Sequence, residues 1–89
     1  MIKTKKNYIL QEVGGEYLVI PVGDASEEFK GILTLNDTAA IYWKEVEKGT
    51  TFDNLVTFAM EKFDDIDVET AKQDIKDFLD EISFATEMI

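Results

Sequence analysis

The side chains that could do chemistry in this chain are almost all carboxylates, and most of them lie in its second half. Residues 61–81 contain nine Asp or Glu and three Lys, and the whole chain has no His, no Cys and no Arg. Histidine is the commonest general base and metal ligand, and cysteine is the commonest thiol nucleophile. We therefore expect no catalytic residue, no metal site and no cofactor, and we predict that the protein is not an enzyme.

One carboxylate run, Asp64-Asp65-Ile66-Asp67-Val68-Glu69, looks at first like a calcium loop. An EF-hand loop needs glycine at its sixth position and glutamate at its twelfth. Counted from Asp65, those positions hold Thr70 and Lys76. We interpret the run as a turn between helices, with Asp67 as the cap of the second helix.

Further along, Asp74, Asp77 and Glu81 are spaced about one helical turn apart, which could bring two carboxyl groups together for acid–base work. No nucleophile–base pair and no glycine-rich phosphate loop accompanies them. We therefore interpret these carboxylates as a solvated helix face that keeps the protein soluble. A sharper alternative is a face that attracts a basic partner.

Composition limits the class of protein further. The 89 residues suit a single domain, 1–89, with 45% apolar residues to form a core. The net charge of −10, without arginine, disfavours nucleic acid as a partner. We expect a cytoplasmic protein with no membrane partner, because no signal peptide and no spanning segment is evident and cysteine is absent.

The positioning elements begin with a β-hairpin. Residues 8–13 and 16–22 are rich in β-branched and aromatic residues and flank Gly14-Gly15, which favours a two-residue turn. That turn pairs Val13 with Glu16, Gln11 with Leu18, and Ile9 with Ile20. Residues 23–30 are predicted to be a polar loop anchored by Phe29, and residues 31–35 a short third strand with one open edge.

Three helices follow, each with a recognisable cap. Asn36, Thr51 and Asp67 are the predicted N-caps, and Gly49 ends the first helix. The third helix should end near Ile82 or Ser83, Phe84 should pack back on the core, and residues 86–89 should fray. The predicted fold is α+β, in the order β-β-β-α-α-α. The predicted buried stripes are Ala39, Tyr42, Trp43 and Val46; then Phe52, Leu55, Val56, Ala59 and Phe63; then Val68, Ala71, Ile75, Phe78, Leu79 and Ile82.

Several of these segments together resemble one family. Leu35 to Trp43 (Leu-Asn-Asp-Thr-Ala-Ala-Ile-Tyr-Trp) resembles the Leu-Asn-Glu-Thr-Ala-Ala-x-Ile-Trp pattern of PqqD-like proteins. Glu16–Ile20, Gly49–Leu55 and Asp67–Leu79 are similar to further family segments, so the resemblance covers about residues 8 to 84. Two departures are Tyr42, where the family usually has an aliphatic residue, and a missing glycine after the last helix.

The resemblance implies a winged-helix-like domain that acts as a precursor-peptide recognition element. Such proteins bind the leader of a ribosomally made peptide and present it to a modifying enzyme, often a radical S-adenosylmethionine enzyme. The leader adds as a strand to the third β-strand, in a cleft beside the third helix, a mode that an open strand edge allows. The expected peptide-binding residues are Ile32, Leu33, Thr34, Leu35, Ala71, Asp74, Ile75 and Phe78, with Asp74 at the rim facing a leader Lys or Arg.

Two other functions stay open from the residues alone. A winged helix could bind DNA through its third helix, but residues 68–82 contain five acids and two lysines, which would repel it. A small regulatory subunit could bind a protein partner through another face, for example around Ile41, which projects away from its helix's apolar stripe.

Overall fold

The glycine pair Gly14-Gly15 forms the tight turn of the hairpin in the main sheet. Both residues have positive φ, 59° and 83°, as such a turn requires. The computed structural model describes residues 1–23 and 32–89. The strands are β1 (Ile2–Thr4), β2 (Tyr8–Val13), β3 (Glu16–Pro21), β4 (Leu33–Leu35) and β5 (Thr86–Met88), and the helices are α1 (Asp37–Glu47), α2 (Phe52–Lys62) and α3 (Val68–Glu81), with a 3-10 turn at Ser83–Ala85.

The three-stranded sheet has the order β2-β3-β4, with antiparallel neighbours. The predicted hairpin register is confirmed, with Val13 opposite Glu16 and Ile9 opposite Ile20. β4 begins at Leu33, later than predicted, and the exposed Ile32 precedes it. The predicted loop at 24–30, with Phe29, and the predicted strand start at Gly31 lie outside the described residues.

The chain termini form a second sheet that the sequence analysis did not predict. β1 pairs antiparallel with β5, with Lys3 opposite Glu87. The amino group of Met1 donates to the carbonyl of Ile89 at 2.8 Å, and the amide of Ile89 donates to the carbonyl of Met1 at 2.8 Å. The predicted fraying of residues 86–89 is therefore wrong, because these residues find strand partners at the opposite end of the chain.

The predicted helix caps are confirmed. The Asn36 side chain accepts from the amide of Ala39 at 2.8 Å, and Thr51 and Asp67 make the same bond three residues ahead at 3.1 and 2.7 Å. These bonds satisfy amide groups that have no partner within the helix. Gly49, with φ of 86°, follows the C-cap of α1.

The core lies between the sheet and the three helices, and Trp43 is wholly buried in it. The predicted stripes mostly face this core, but Val68 is 45% exposed and its predicted burial is wrong. Val68 is the first residue of α3 and lies in the turn before the part of the helix whose side chains are buried. Phe84 packs on Tyr8 as predicted, with ring centroids 5.3 Å apart.

Candidate functional site

A cleft of about 330 Å³ opens between the first turns of α1 and the second half of α3. It begins at Asn36, the residue that directly follows β4, so the cleft lies beside the end of that strand. One wall comes from Asn36 and α1, and the other comes from α3. The lining residues are Asn36, Thr38, Ala39 and Tyr42 on the first wall, and Asp74, Asp77, Phe78 and Glu81 on the second.

The spacing on α3 explains its wall. Positions 74, 77, 78 and 81 follow the i, i+3, i+4, i+7 pattern that places side chains on one helix face. Ala71 and Ile75 lie on the adjoining face and are completely buried. Helix α3 therefore presents apolar side chains to the core and carboxylates to the cleft.

Tyr42 forms the inner side of the cleft. It is only 2% exposed, and its ring packs against Phe58, Phe63 and Phe78, with ring centroids 6.3, 6.1 and 5.7 Å away. Its hydroxyl is buried and has no hydrogen-bond partner among residues 1–23 and 32–89. A buried hydroxyl left unpaired costs about 1–3 kcal/mol.

The environment of the Tyr42 hydroxyl keeps it protonated. Burial raises its pKa above the usual 10, and the negative charge of Asp74 raises it further. Both causes disfavour the phenolate, because a second negative charge in a poorly hydrated place is unfavourable. At neutral pH this buried hydroxyl therefore has one O–H donor and free acceptor capacity beside the cleft that Tyr42 helps to line.

The charge of the cleft is negative. Its lining includes three carboxylates and no lysine. In the part of the chain that the structure describes, the ion pair is Lys48 with Glu45 at 3.3 Å, so no lysine there neutralises the cleft acids. Asp77 accepts a hydrogen bond from the side-chain amide of Gln73 at 2.8 Å. Glu81 is the last residue of α3, so its carboxylate lies at the negative end of the helix dipole. The last turn of α3 has no basic residue to offset this charge.

The predicted site residues separate into four groups in the structure. Asp74 and Phe78 line the cleft, and Ile32 and Thr34 are exposed at the edge of the sheet. Leu33 is half-buried against the core. Leu35, Ala71 and Ile75 are buried core residues that support the cleft from behind rather than line it.

Six cleft residues were not among the predicted site residues: Asn36, Thr38, Ala39, Tyr42, Asp77 and Glu81. On α3 the helical spacing of Asp74, Asp77 and Glu81 predicts that they share one face, but it does not predict that this face lines a cleft. On the other wall, Asn36 is predicted as a helix cap and Ala39 and Tyr42 as core residues. Their place beside a cleft follows from how α1 lies against α3.

The edge of β4 is a second feature of this region. β3 pairs with β4 on one side, with Val19 opposite Leu33 and Tyr17 opposite Leu35. Outside residues 24–31, no strand pairs with the other side of β4. An unpaired edge offers a row of backbone N–H and C=O groups to another extended chain.

The family comparison covers most of this architecture. Residues 8–83 match the family described as Coenzyme PQQ synthesis protein D (PqqD). The chain belongs to the PqqD family. The match includes β2 to β4 and all three helices, whereas β1 and β5 of this PqqD-family protein lie outside it. A search of curated proteins found no match.

Two solved structures share the fold of this PqqD-family protein. One, "TbiB1 in Complex with the TbiA(beta) Leader Peptide", is 16% identical with a TM-score of 0.72, over 92% of this chain and 88% of that one. The other, "Lasso peptide synthetase B1 complexed with the leader peptide", is 12% identical with a TM-score of 0.75, over 98% of both chains. In the described residues the predicted α+β fold, a three-stranded antiparallel sheet followed by three helices, is confirmed, and β1 and β5 add to it the second sheet that was not predicted. None of the helices in residues 1–23 and 32–89 is both long and apolar enough to span a membrane.

Proposed function

We propose that this protein is a non-catalytic module that binds the leader region of a ribosomally synthesised precursor peptide and presents it to a modifying enzyme. The observation that carries the proposal is the edge of β4 beside the α1–α3 cleft, which no strand within residues 1–23 and 32–89 covers, in a chain of the PqqD family. The two solved structures with this fold are themselves described as leader-peptide complexes, which supports it.

In the proposed complex the leader adds as a fourth strand to the sheet, along Ile32–Leu35. Main-chain hydrogen bonds to this edge provide affinity, and alternate side chains of the peptide provide specificity. Leu33 and Leu35 lie on the core side of the sheet, because they oppose Val19 and Tyr17. Every second peptide side chain would then face α3, where Asp74 and Phe78 line the cleft. Ala71 and Ile75 support that wall from within the core.

We assign the chemistry of peptide modification to a separate partner enzyme. The chain has no His and no Cys, which leaves it without the commonest general base and the commonest thiol nucleophile. We propose a radical S-adenosylmethionine enzyme as that partner and the cytoplasm as the location, as the family resemblance implies. The role of this protein is then to raise the local concentration of the precursor at the enzyme.

The test is an NMR titration of the ¹⁵N-labelled protein with synthetic peptides. The probes are the N-terminal halves of short reading frames encoded beside this gene. We expect one of them to shift the amides of Ile32–Leu35, and a scrambled peptide of the same composition to leave them unchanged. A peptide that binds but moves only amides elsewhere would contradict the strand-addition site.

The chain offers a matched pair of variants for this test. Leu10 on β2 and Leu33 on β4 flank the same residue, Val19, and both are half-buried against the core. Leu33→Lys should weaken peptide binding by about tenfold or more, whereas Leu10→Lys should alter stability to a similar extent but spare binding. The opposite result would place the peptide on the β2 edge.

A further inference from the structure

We infer that the α1–α3 cleft is a subsite for one basic side chain, lysine or arginine, of the bound peptide, with Tyr42, Asp74 and Asp77 as its contacts. This inference rests on the proposed function, because the peptide supplies the side chain. It extends the expected contact of Asp74 with a leader Lys or Arg to a defined cleft, and it assigns binding roles to Tyr42 and Asp77.

The first support is charge. Three carboxylates line one cleft and no lysine of the described chain pairs with them. Glu81 lies at the C-terminal end of α3, where a negative charge interacts unfavourably with the helix dipole. A cationic group entering the cleft relieves both the mutual repulsion and the dipole penalty.

The second support is independent of the acids. Tyr42 lines the cleft while it is almost completely buried, and its hydroxyl has no partner in residues 1–23 and 32–89. The oxygen can accept an N–H from an ammonium or guanidinium group. Burial and the charge of Asp74 raise the pKa of this hydroxyl, so the neutral form that any tyrosine has at physiological pH is favoured further here.

The shape of the cleft fits a long basic side chain rather than a metal ion. Within the described residues, no group of three or more His, Cys, Asp or Glu is arranged to hold a metal. Ala39 and Phe78 provide apolar surface beside the carboxylates. The aliphatic stem of lysine or arginine can pack on these residues while its charged end reaches Tyr42 and Asp74.

The experiment starts from a phage-displayed library of random 12-residue peptides selected on the wild-type protein. Selected peptides that shift the amides of Ile32–Leu35 are kept as probes. We expect each to carry Lys or Arg at one constant position, and replacement of that residue by norleucine should weaken binding by about tenfold or more. Norleucine keeps the apolar stem and removes the charge.

Variants of the protein then locate the contact. In Asp74→Asn the norleucine replacement should cost less than about threefold, and Tyr42→Phe should weaken the lysine peptide by about threefold or more. Asp80→Asn makes the same charge change on α3 outside the cleft and should leave the full norleucine effect in place. The Tyr42→Phe protein should unfold at the same denaturant concentration as wild type or a higher one, since it loses an unpaired hydroxyl.

The outcomes separate this inference from the proposed function. Selected peptides that shift Ile32–Leu35 but lack a constant basic residue would overturn the inference alone. So would a norleucine effect that is equal in wild type and in Asp74→Asn. If no selected peptide shifts Ile32–Leu35, the proposed strand-addition function fails, whatever the preference for basic residues.

Discussion

Replacing Ile75 with alanine tests whether this residue belongs to the core or to the peptide contact. Its side chain is completely buried between α3 and the rest of the core. The change removes three carbon atoms, worth about 0.8 kcal/mol each as buried surface, and the cavity left behind raises the cost to about 2–5 kcal/mol. A domain of 89 residues has a total stability of roughly 4–13 kcal/mol, so the variant should be visibly weakened.

Leu79→Ala is the matched control, because it removes the same number of carbon atoms one turn later on α3 from a half-buried position. We expect it to cost about half as much as Ile75→Ala, since less of its surface leaves water on folding. Both substitutions introduce alanine and leave the charge unchanged, so they differ mainly in the burial of the side chain that is removed.

The assay is urea unfolding followed by the fluorescence of Trp43, which is the single tryptophan of the chain and is completely buried. Linear extrapolation gives the free energy of unfolding in water. Peptide affinity of the folded Ile75→Ala protein should stay within about twofold of wild type, because Ile75 supports the cleft without lining it.

Two results would refute this reasoning. A cost below about 1 kcal/mol, or one no larger than that of Leu79→Ala, would contradict the burial of Ile75. A large loss of peptide affinity in a fully folded Ile75→Ala protein would instead make Ile75 part of the floor that the peptide touches.

Three further predictions concern the termini and α3. Deleting Glu87–Ile89 removes the two hydrogen bonds between Met1 and Ile89 and should lower the free energy of unfolding by about 1–3 kcal/mol; an unchanged urea midpoint would mean that these ends do not pair in solution. The pKa of Asp67 is lowered, first by the hydrogen bonds from Thr70. The carboxylate of Asp67 therefore contributes fully to stability above the unfolded-state pKa of about 3.9, and this contribution is lost as pH falls through the lower folded-state pKa. Asp67→Asn should remove that part of the acid dependence, and equal pH profiles in urea titrations would contradict it. Asp80→Lys should stabilise α3 by about 0.3–1 kcal/mol at low salt, because it places a positive charge at the C-terminal end of the helix dipole. The gain in stability should shrink in 1 M salt, and a loss of stability at low salt would refute the prediction.

Most of the local structure could be predicted from the order of the residues alone. The glycine pair set the hairpin register, and the residues Asn36, Thr51 and Asp67 marked the start of each helix. Helical spacing identified most of the buried stripes. These features depend on turn geometry, capping and periodicity, which act over a few residues and can be recognised without knowing what packs where. The same local patterns supported the family resemblance.

The tertiary structure decided which of those residues meet. The pairing of β1 with β5 joins residues at opposite ends of the chain. Each strand has only three residues, which is too short for an alternating apolar pattern that would predict a strand or its distant partner. The cleft likewise lies where two helices distant in sequence meet, at the contact of Tyr42 on α1 with Phe78 on α3. That contact places a buried tyrosine beside three carboxylates, and the spacing within one helix does not encode which residues of the other helix it meets.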